Sequence, residues 1–372
     1  MKFTVTRNSL LGELTLVQGV IEKKNTMSIL SNILVEATGD KLDITATDGD
    51  VTIRCGCSAA VKVDGATTIA ARRLFEIVRL LPENAEIELS TLENNWVELR
   101  SGNSHYKIVS IPQEDFPVIP DVTSGIAVIP GNILEGMIQR TMFAITQEES
   151  RYSLNGSLLI LQPDTVQMAA TDGHRLAVVG KSMEVPEIKE EVRALIPRKA
   201  LTEIAKLISG QNNAMIEFGR DDNNLFFSTG NRRIVSRVLA GQFPNYEMVI
   251  PKENDKLVGI GAKAFGDGIR RAAVMSDERL KSVKLSFKTG ELEISAVNSD
   301  AGEAREVVPI EYEGEKLIIG FNSQYLLDFI GVCGVDSISL ALRDSNTQGL
   351  FKPVGAGDLD FEYKYIAMPM NI

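Results

Sequence analysis

One short pattern of alternating apolar residues occurs three times along the chain, at nearly equal spacing. Residues 40–48, 164–172 and 290–298 read DKLDITATD, DTVQMAATD and GELEISAVN. Every second residue is apolar, which is the period of a β-strand with one buried face. The alternating residues are Leu42, Ile44 and Ala46, then Val166, Met168 and Ala170, then Leu292, Ile294 and Ala296. This feature predicts three copies of one folding unit.

Two helices accompany each repeated strand. After the strand, stretches that begin at Thr67, Ala194 and Lys316 each read as a short strand, a helix, a turn and another strand. In the first two of these helices the apolar residues stand at i, i+3, i+4 and i+7 and form one stripe. They are Leu74, Ile77, Val78 and Leu81, and Leu201, Ile204, Ala205 and Ile208. A second amphipathic helix precedes each repeated strand, marked by Leu10, Leu14, Val17 and Ile21, by Leu134, Met137 and Ile138, and by Phe265, Ile269 and Ala272.

An apolar residue followed by proline closes each unit. Phe116–Pro117, Phe243–Pro244 and Met368–Pro369 are 127 and 125 residues apart, so the repeat fills the 372 residues. Units of about 120 residues are ordinary domains. We therefore predict an α+β fold of three tandem domains, each with two helices and antiparallel sheets. The expected boundaries are residues 1–122, 123–252 and 253–372.

Charge and cysteine content exclude several classes of protein. Fifty acidic against 39 basic residues give a net charge of −11, which excludes a nucleic-acid binder driven by a basic tail. Polar residues break every apolar run of the opening MKFTVTRNSLLGELTLV, so neither a signal peptide nor a membrane span is expected. Cys55, Cys57 and Cys333 lack the partners that complete a zinc site. We predict reduced thiols in a cytoplasmic protein without a metal or other cofactor.

Charge is distributed unevenly between helices and the rest of the chain. The predicted helical segments 8–24, 71–81, 132–142, 197–206, 263–271 and 322–331 together carry +5, which leaves −16 for all other residues. A basic helical face opposite an acidic one suits a protein that accepts a polyanion on one side. The count alone leaves open the alternative that Lys and Arg cover helix surfaces, as they do in any soluble protein.

Several strings in this sequence resemble one family over essentially the whole chain. They are MKFTVTR at the start, GATTIAARRLFEIVRLLPE, RYSLNG at 151–156, ATDGHRLAVV at 170–179, IPRKAL at 196–201, FPNY at 243–246 and MPM at 368–370. The chain resembles the bacterial DNA polymerase III beta subunits, the sliding clamps. The resemblance implies a head-to-tail homodimer whose six domains form a ring around duplex DNA, with helices lining the hole and sheets on the rim.

The resemblance also implies partners and DNA-facing residues. The expected partners are duplex DNA of any sequence, the polymerase III alpha subunit, a clamp loader, and other polymerases and repair proteins that carry clamp-binding peptides. The positions that match DNA-facing residues of the family are Lys24, Arg72, Tyr152, Arg198 and Lys199. The charge count adds Arg79, Lys206, Arg270 and Arg271. Ser153 stands where many clamps carry a second aromatic residue.

Two further sites follow from the resemblance. A peptide pocket between the second and third domains is expected at Arg151, Leu154, Thr171, Gly173, His174, Arg175, Leu176, Pro244, Val249, Tyr325, Ile366, Met368, Pro369 and Met370. Leucine, proline and flexible methionine side chains suit an adaptable apolar floor. The dimer contact is expected to join Arg73, His105 and Tyr106 to Val274, Met275, Glu303 and Glu306.

Two other hypotheses compete with a non-enzymatic clamp. Asp172, His174 and Arg175 could serve acid–base chemistry with Ser153 or Ser157 as nucleophile, but no G-x-S-x-G motif frames either serine. A strand-end turn, in which Asp caps backbone amides and Gly takes positive φ, explains the Thr-Asp-Gly string better. No phosphate loop predicts nucleotide binding. A clamp paralogue with a modified pocket remains open.

Overall fold

The computed structural model describes residues 1–21, 27–120, 125–148, 150–211, 213–355 and 360–371. They form two compact units. The first unit comprises Met1–Asn132 and Lys199–Val238, and the second comprises Ile133–Arg198 and Leu239–Ile372. The central repeat therefore contributes strands to both units. No helix in the described part of the chain has the length and apolar character needed to cross a membrane.

Six α-helices occur in the described residues, two in each sequence repeat. They are α1 (Arg7–Val17), α2 (Ala71–Leu80), α3 (Gly131–Thr141), α4 (Arg198–Ile208), α5 (Ala262–Ala273) and α6 (Ser323–Cys333). Five of these helices, α2 to α6, begin and end within two residues of the predicted segments. The first is shorter than the predicted 8–24, because the chain leaves the helix at Gln18 and the Val20 amide donates to the Val17 carbonyl in a turn (3.3 Å) that contains Gly19.

Strands make up most of the rest. The first repeat holds β1 (Lys2–Thr6), β2 (Asn32–Thr38), β3 (Lys41–Thr47), β4 (Val51–Ser58), β5 (Ala60–Val63), β6 (Gly65–Ala70), β7 (Glu86–Leu92), β8 (Trp96–Ser101) and β9 (Ser104–Ile111). The second holds β10 (Ala127–Pro130), β11 (Gly156–Gln162), β12 (Thr165–Thr171), β13 (Arg175–Ser182), β14 (Val192–Pro197), β15 (Met215–Arg220), β16 (Asn224–Thr229) and β17 (Arg232–Arg237). The third holds β18 (Lys256–Gly261), β19 (Ser282–Lys288), β20 (Glu291–Asn298), β21 (Gly302–Glu311), β22 (Leu317–Asn322), β23 (Ser337–Leu342), β24 (Gly349–Val354) and β25 (Glu362–Ala367).

Each unit is built on one antiparallel sheet that joins strands of neighbouring repeats. The first sheet has the order β10-β15-β16-β17-β4-β3-β2-β6-β9-β8-β7-β1-β5. The second has the order β14-β11-β12-β13-β25-β24-β23-β18-β21-β20-β19-β22. In the first, β17 of the second repeat pairs with β4 of the first, with Ile234 opposite Ile53. In the second, β25 of the third repeat pairs with β13 of the second, with Ile366 opposite Leu176.

The three repeated strands are β3, β12 and β20, and their alternation is confirmed. All nine apolar residues named for them in the sequence are buried, with at most 3% of any of them exposed. The helix stripes pack in the same way, since Leu10, Leu14 and Val17 of α1 and Phe265, Ile269 and Ala272 of α5 are each exposed by 1% or less. The sheets are therefore covered by helices on the face that carries these residues.

The turns after the first two repeated strands, β3 and β12, have the predicted chemistry. Asp172 Oδ1 accepts hydrogen bonds from the amides of His174 (2.9 Å) and Arg175 (3.0 Å). Asp48 does the same for the amides two and three residues on (2.8 and 2.7 Å). Gly49 and Gly173 have φ of 99° and 91°, a conformation that side chains disfavour. The Thr-Asp-Gly string is thus a capped turn in both repeats.

A buried ion pair ties helix α1 to strand β17 within the first unit. Arg232 donates from Nη2 to Glu13 Oε1 (2.7 Å) and from Nε to Glu13 Oε2 (3.2 Å). The Glu13 side chain is 8% exposed and that of Arg232 is 26% exposed. Removing one partner from such a pair typically costs about 3–5 kcal/mol, because the other charge stays buried and unpaired. The pair therefore fixes the position of the repeat junction around β4 and β17.

The three cysteines are free thiols, as predicted. Burial, with a further contribution from Glu13, raises the pKa of Cys57 to about 11. Burial raises the pKa of Cys55 further still. Both thiols therefore carry little thiolate at neutral pH, and the thiolate is the reactive form. Cys55 and Cys333 are also buried, which fits a structural role.

Candidate functional site

The second unit contains an apolar cavity of about 270 Å³. Most of the surface that lines it is apolar. The lining residues are Leu154, Thr171, Gly173, His174, Arg175, Leu176, Pro244, Tyr246, Val249, Ile366 and Met368. Its floor is continuous with a buried cluster that includes Leu176, Tyr246 and Ile366. A cavity of this kind suits an apolar side chain of a visiting molecule.

Three local structures position the wall of the cavity. The capped turn Thr171–Arg175 and the paired strands β13 and β25 bring Leu176 opposite Ile366. A single 3₁₀ turn at Tyr246–Val249 closes the other side. That turn is held at both ends, since Tyr246 Oη donates to Gln167 Oε1 (3.1 Å) and Gln348 Nε2 donates to the Val249 carbonyl (3.0 Å). The cavity therefore exists before anything enters it.

Arg175 lines the cavity and is held in place by several partners. Its side chain is only 10% exposed and binds Asp172 Oδ2 (3.0 Å) and Asp328 Oδ2 (2.5 Å). Its Nη2 donates to the Phe143 carbonyl (2.5 Å), and the guanidinium lies 4.3 Å from the centre of the Tyr325 ring. Burial opposes the charge, but Tyr365, Asp328 and Asp172 raise the pKa of Arg175 above its ordinary value. Arg175 is therefore a permanent cation that links α6 to β13.

Ten of the fourteen residues predicted for a peptide pocket line this cavity, and four do not. Arg151 donates from Nη1 to the Asp172 carbonyl at the mouth (3.1 Å). Tyr325 stacks on Arg175 rather than on the cavity. The Met370 amide donates to the Gly320 carbonyl (2.8 Å), which anchors the segment that contains the half-buried Pro369.

Tyr246 lines the cavity but was not among the predicted residues. It closes the FPNY string and is 3% exposed. Buried tyrosines are common in cores, so burial alone did not mark it. The signal that could have found it is its position three residues before Val249, which reaches the same wall through one 3₁₀ turn.

The geometry does not place Asp172 and Ser157 in a catalytic arrangement with His174. Asp172 is occupied by two backbone amides and by Arg175. Ser157 is fully buried in β11, where its hydroxyl donates to Thr141 Oγ1 (3.3 Å). A nucleophile must reach both a base and a substrate, and this hydroxyl reaches neither. In the described part of the chain, no group of three His, Cys, Asp or Glu residues is arranged to hold a metal ion.

The predicted DNA-facing residues of the first unit lie on α2 and α4, apart from Lys24, which lies outside the described residues. Arg72 is 75% exposed and binds Glu76 on the same helix (3.1 Å). Arg79 lies over the Phe75 ring (5.7 Å). On α4, Lys199 binds Asp48 and Lys206 binds Glu203 (2.8 Å).

The remaining residues predicted to face DNA belong to the second unit. Arg198 is half-buried at the start of α4, and Tyr152 is 67% exposed in a 3₁₀ turn. On α5, Arg270 binds Asp267 (2.7 Å). Arg271 binds Glu306 (2.7 Å), so a residue predicted to face DNA and one predicted for a dimer contact bind each other. Helix α5 thus carries its charge in ion pairs.

Strands β9 and β21 each leave most of one backbone edge unpaired within the described part of the chain. In the first unit, β9 pairs with β8 along Ser104–Val109, and with β6 only at Ser110 and Ile111. In the second unit, β21 pairs with β20 along Gly302–Pro309, and with β18 only at Ile310 and Glu311. Open edges present unpaired amides and carbonyls that can pair with another chain.

Most of the residues predicted for a dimer contact lie on or beside these edges. His105 and Tyr106 belong to β9, where His105 Nε2 lies 2.7 Å from Glu98 Oε1 and Tyr106 is 36% exposed. Arg73 is exposed on α2. Glu303 and Glu306 belong to β21. Val274, 78% exposed, and the half-buried Met275 follow α5, next to the start of β21 at Gly302.

Comparisons with known proteins point to one family throughout the chain. Family models of the DNA polymerase III beta subunit match it in order, the N-terminal domain at residues 1–120, the central domain at 128–245 and the C-terminal domain at 247–371. The beta sliding clamp of Pseudomonas putida is 34% identical over 374 residues, with both chains fully covered. That of Escherichia coli K12 is 32% identical over 375 residues, again with full coverage of both.

Solved structures agree with the sequence comparison. A sliding clamp from Pseudomonas aeruginosa bound to griselimycin superimposes with a TM-score of 0.94 at 33% identity, and each chain is covered completely. The sliding clamp from Caulobacter crescentus gives a TM-score of 0.91 at 33% identity, with the same coverage. The chain is therefore similar to these proteins along its whole length, in sequence and in fold.

Proposed function

Since this chain belongs to the DNA polymerase III beta subunit family, the bacterial sliding clamps, we propose that it encircles duplex DNA as a homodimeric ring and tethers the replicative polymerase. The observation that carries the proposal is the full-length match, in order, of all three clamp domains. The protein is a processivity factor rather than an enzyme. Its action is topological, so the ring needs no tight contact with any single phosphate and can slide.

The internal repeat supports a head-to-tail ring. The strand that follows the repeated strand is β4 in the first repeat, β13 in the second and β21 in the third. The last strand before the apolar–Pro pair is β9 in the first repeat, β17 in the second and β25 in the third. Within the chain β4 pairs with β17 and β13 pairs with β25. Among the described residues, β21 and β9 are the two of these six strands that do not pair with a strand of another repeat. In a dimer, β21 of one copy would pair with β9 of the other at two equivalent interfaces.

The cavity is proposed to receive the clamp-binding peptides of partner proteins. The proposed contacts are the ten residues that line it together with Tyr246, and Arg151, Tyr325, Pro369 and Met370 at its margin. Burying one leucine or phenylalanine of a peptide there is worth about 1.5–3 kcal/mol. After ordering costs this corresponds to roughly micromolar affinity. A single shared site lets the polymerase alpha subunit, the clamp loader, and other polymerases and repair proteins compete for the ring.

The helices are proposed to face DNA with the cations of α2, α4 and α5, together with Tyr152 and Lys24. Lys and Arg solvate phosphates at a distance without reading base sequence. The domain boundaries remain the predicted ones, at residues 122 and 252. Replication requires access to the chromosome, so we propose that the protein acts in the cytoplasm.

Primer extension tests the proposed function directly. A cognate replicative polymerase on primed circular single-stranded DNA, with a clamp loader and ATP, is expected to make full-length products in one binding event when the chain is added. Without it, a challenge with excess unlabelled primed template should leave short products. Short products in both reactions would contradict a processivity role.

A further inference from the structure

Three helices share a charge pattern that neither the fold nor the family match requires. In each, one carboxylate stands between two cations at positions i, i+4 and i+7, which lie on one face of a helix. We call these groups the charge triads. They are Arg72, Glu76 and Arg79 on α2, Lys199, Glu203 and Lys206 on α4, and Lys263, Asp267 and Arg270 on α5.

In the α5 triad one carboxylate holds both cations. Asp267 Oδ2 accepts from Lys263 Nζ (2.8 Å), and Asp267 Oδ1 accepts from Arg270 Nη1 (2.7 Å). The Lys263 side chain is 89% exposed and that of Arg270 is 56% exposed, so both face solvent. The hydrogen bond from Lys263, together with the nearby positive charges, lowers the pKa of Asp267. Asp267 is therefore ionised at neutral pH and occupies the donors that a phosphate would use.

The other two triads differ in exposure. On α2, Glu76 is 50% exposed and binds Arg72 (3.1 Å), which resembles the arrangement on α5. On α4, Glu203 is only 3% exposed although it binds Lys206, and Lys199 binds Asp48 instead. The buried Glu203 belongs to the interior of the first unit. Glu76 and Asp267, whose side chains are 50% and 34% exposed, are the two carboxylates that can exchange their cations with an outside ligand.

We propose that Asp267 and Glu76 are built-in competitors of DNA phosphate, an inference that rests on the proposed clamp function. A carboxylate and a phosphate offer oxygens to the same donors of Lys and Arg. Each phosphate that binds Lys263, Arg270 or Arg72 therefore competes with an intrahelical carboxylate for the donors and the charge of that cation. Exposed ion pairs of this kind are weak, so the carboxylates weaken the binding of DNA without preventing it. Loose binding lets the ring move along the duplex.

The test is the salt dependence of binding to a fluorescent 30-base-pair duplex by Asp267→Asn and Glu76→Gln, which remove the charge and keep the shape. Each variant frees a cation to make one additional phosphate contact in each copy of a dimer. This is expected to steepen the slope of log K for DNA binding against log salt by about 1.8, and to raise the affinity for the duplex at about 0.1 M salt by about fivefold or more. Glu253→Gln is the matched control, because Glu253 is 80% exposed, binds Arg343 (3.0 Å) and lies outside the helices. It makes the same change in net charge.

A slope for both helix variants that equals the slope of the wild type, or that of Glu253→Gln, would overturn the inference. Retention of the wild type on circular DNA is measured with the same preparation. If the wild type is retained while the slopes are unchanged, this inference fails and the clamp function stands. If the wild type is not retained on circular DNA and neither the wild type nor any variant binds the duplex, the inference and the clamp function both fail. A steeper slope limited to Asp267→Asn and Glu76→Gln supports the inference whatever the circles show.

Discussion

Val249→Asp is expected to lower the affinity for a short peptide with adjacent Leu and Phe residues by about a hundredfold, equivalent to about 3 kcal/mol. Val249 forms one wall of the apolar cavity. A carboxylate there loses apolar contact and must be desolvated when the peptide side chain enters. The measurement is fluorescence anisotropy of the labelled peptide titrated with each variant.

Met248→Asp is the matched control for this prediction. Met248 belongs to the same 3₁₀ turn but is 82% exposed and lies outside the cavity wall. Its replacement should change the affinity for the peptide by less than about threefold, because solvent and salt screen the charge of an exposed side chain outside the cavity. Equal losses for the two variants would show that the turn, and not the cavity, governs binding. An unchanged affinity for Val249→Asp would place the peptide elsewhere.

The double variant Val274→Ala, Met275→Ala is expected to be a monomer at micromolar concentration. Trimming both side chains removes about 3 kcal/mol of apolar burial from one interface. A closed ring has two such interfaces, so the dissociation constant should rise by about four orders of magnitude. Small-angle scattering and sedimentation equilibrium measure the mass directly.

Leu257→Ala with Val354→Ala is the control for the dimer prediction. Both residues are exposed, by 65% and 50%. Val354 lies on β24, and Leu257 lies on β18, where it stands opposite Ala341 of β23 and is not one of the two β18 residues that pair with β21. This variant loses a similar amount of apolar surface and should remain a dimer. An unchanged dimer mass for the Val274 and Met275 variant would remove these residues from the proposed interface.

Local periodicity predicted the secondary structure well. The alternation in β3, β12 and β20 and the stripes of α2 and α4 follow from which residues must be buried. The structure buries all of these residues except Ile77 and Ala205, which are half-buried. Helix α1 was predicted too long, because apolar spacing continued to Ile21 after the chain had turned at Gly19. Periodicity reports which face is buried, but it does not report where the backbone leaves the helix.

Pairing between distant residues was beyond the reach of sequence patterns. Nothing near Arg175 in the sequence indicates that Asp328 binds it, because 153 residues separate them. The same holds for Glu13 and Arg232, which are 219 residues apart. Ten of the cavity residues were predicted through resemblance to a family. Tyr246 was missed because it reaches the cavity wall through the 3₁₀ turn Tyr246–Val249, which the sequence pattern did not predict.

The ion pairs on the helices were likewise invisible in a count of charges. The sum of +5 treated Lys263, Asp267 and Arg270 as independent, whereas the structure joins them in one triad. Helical spacing could have revealed this, since i, i+3 and i+4 neighbours touch. What spacing could not reveal is that the Glu203 side chain is buried, whereas those of Glu76 and Asp267 are partly exposed to solvent.

Retention on circular against linear DNA tests the central claim of a topological tether. The chain is loaded onto nicked plasmid by a clamp loader with ATP, half of the sample is cut once, and both halves pass through a gel-filtration column at about 0.15 M salt. We predict that the protein stays with the circles and is lost from the linear DNA through its ends. Equal loss from both forms, or equal retention on both, would contradict a closed ring around the duplex.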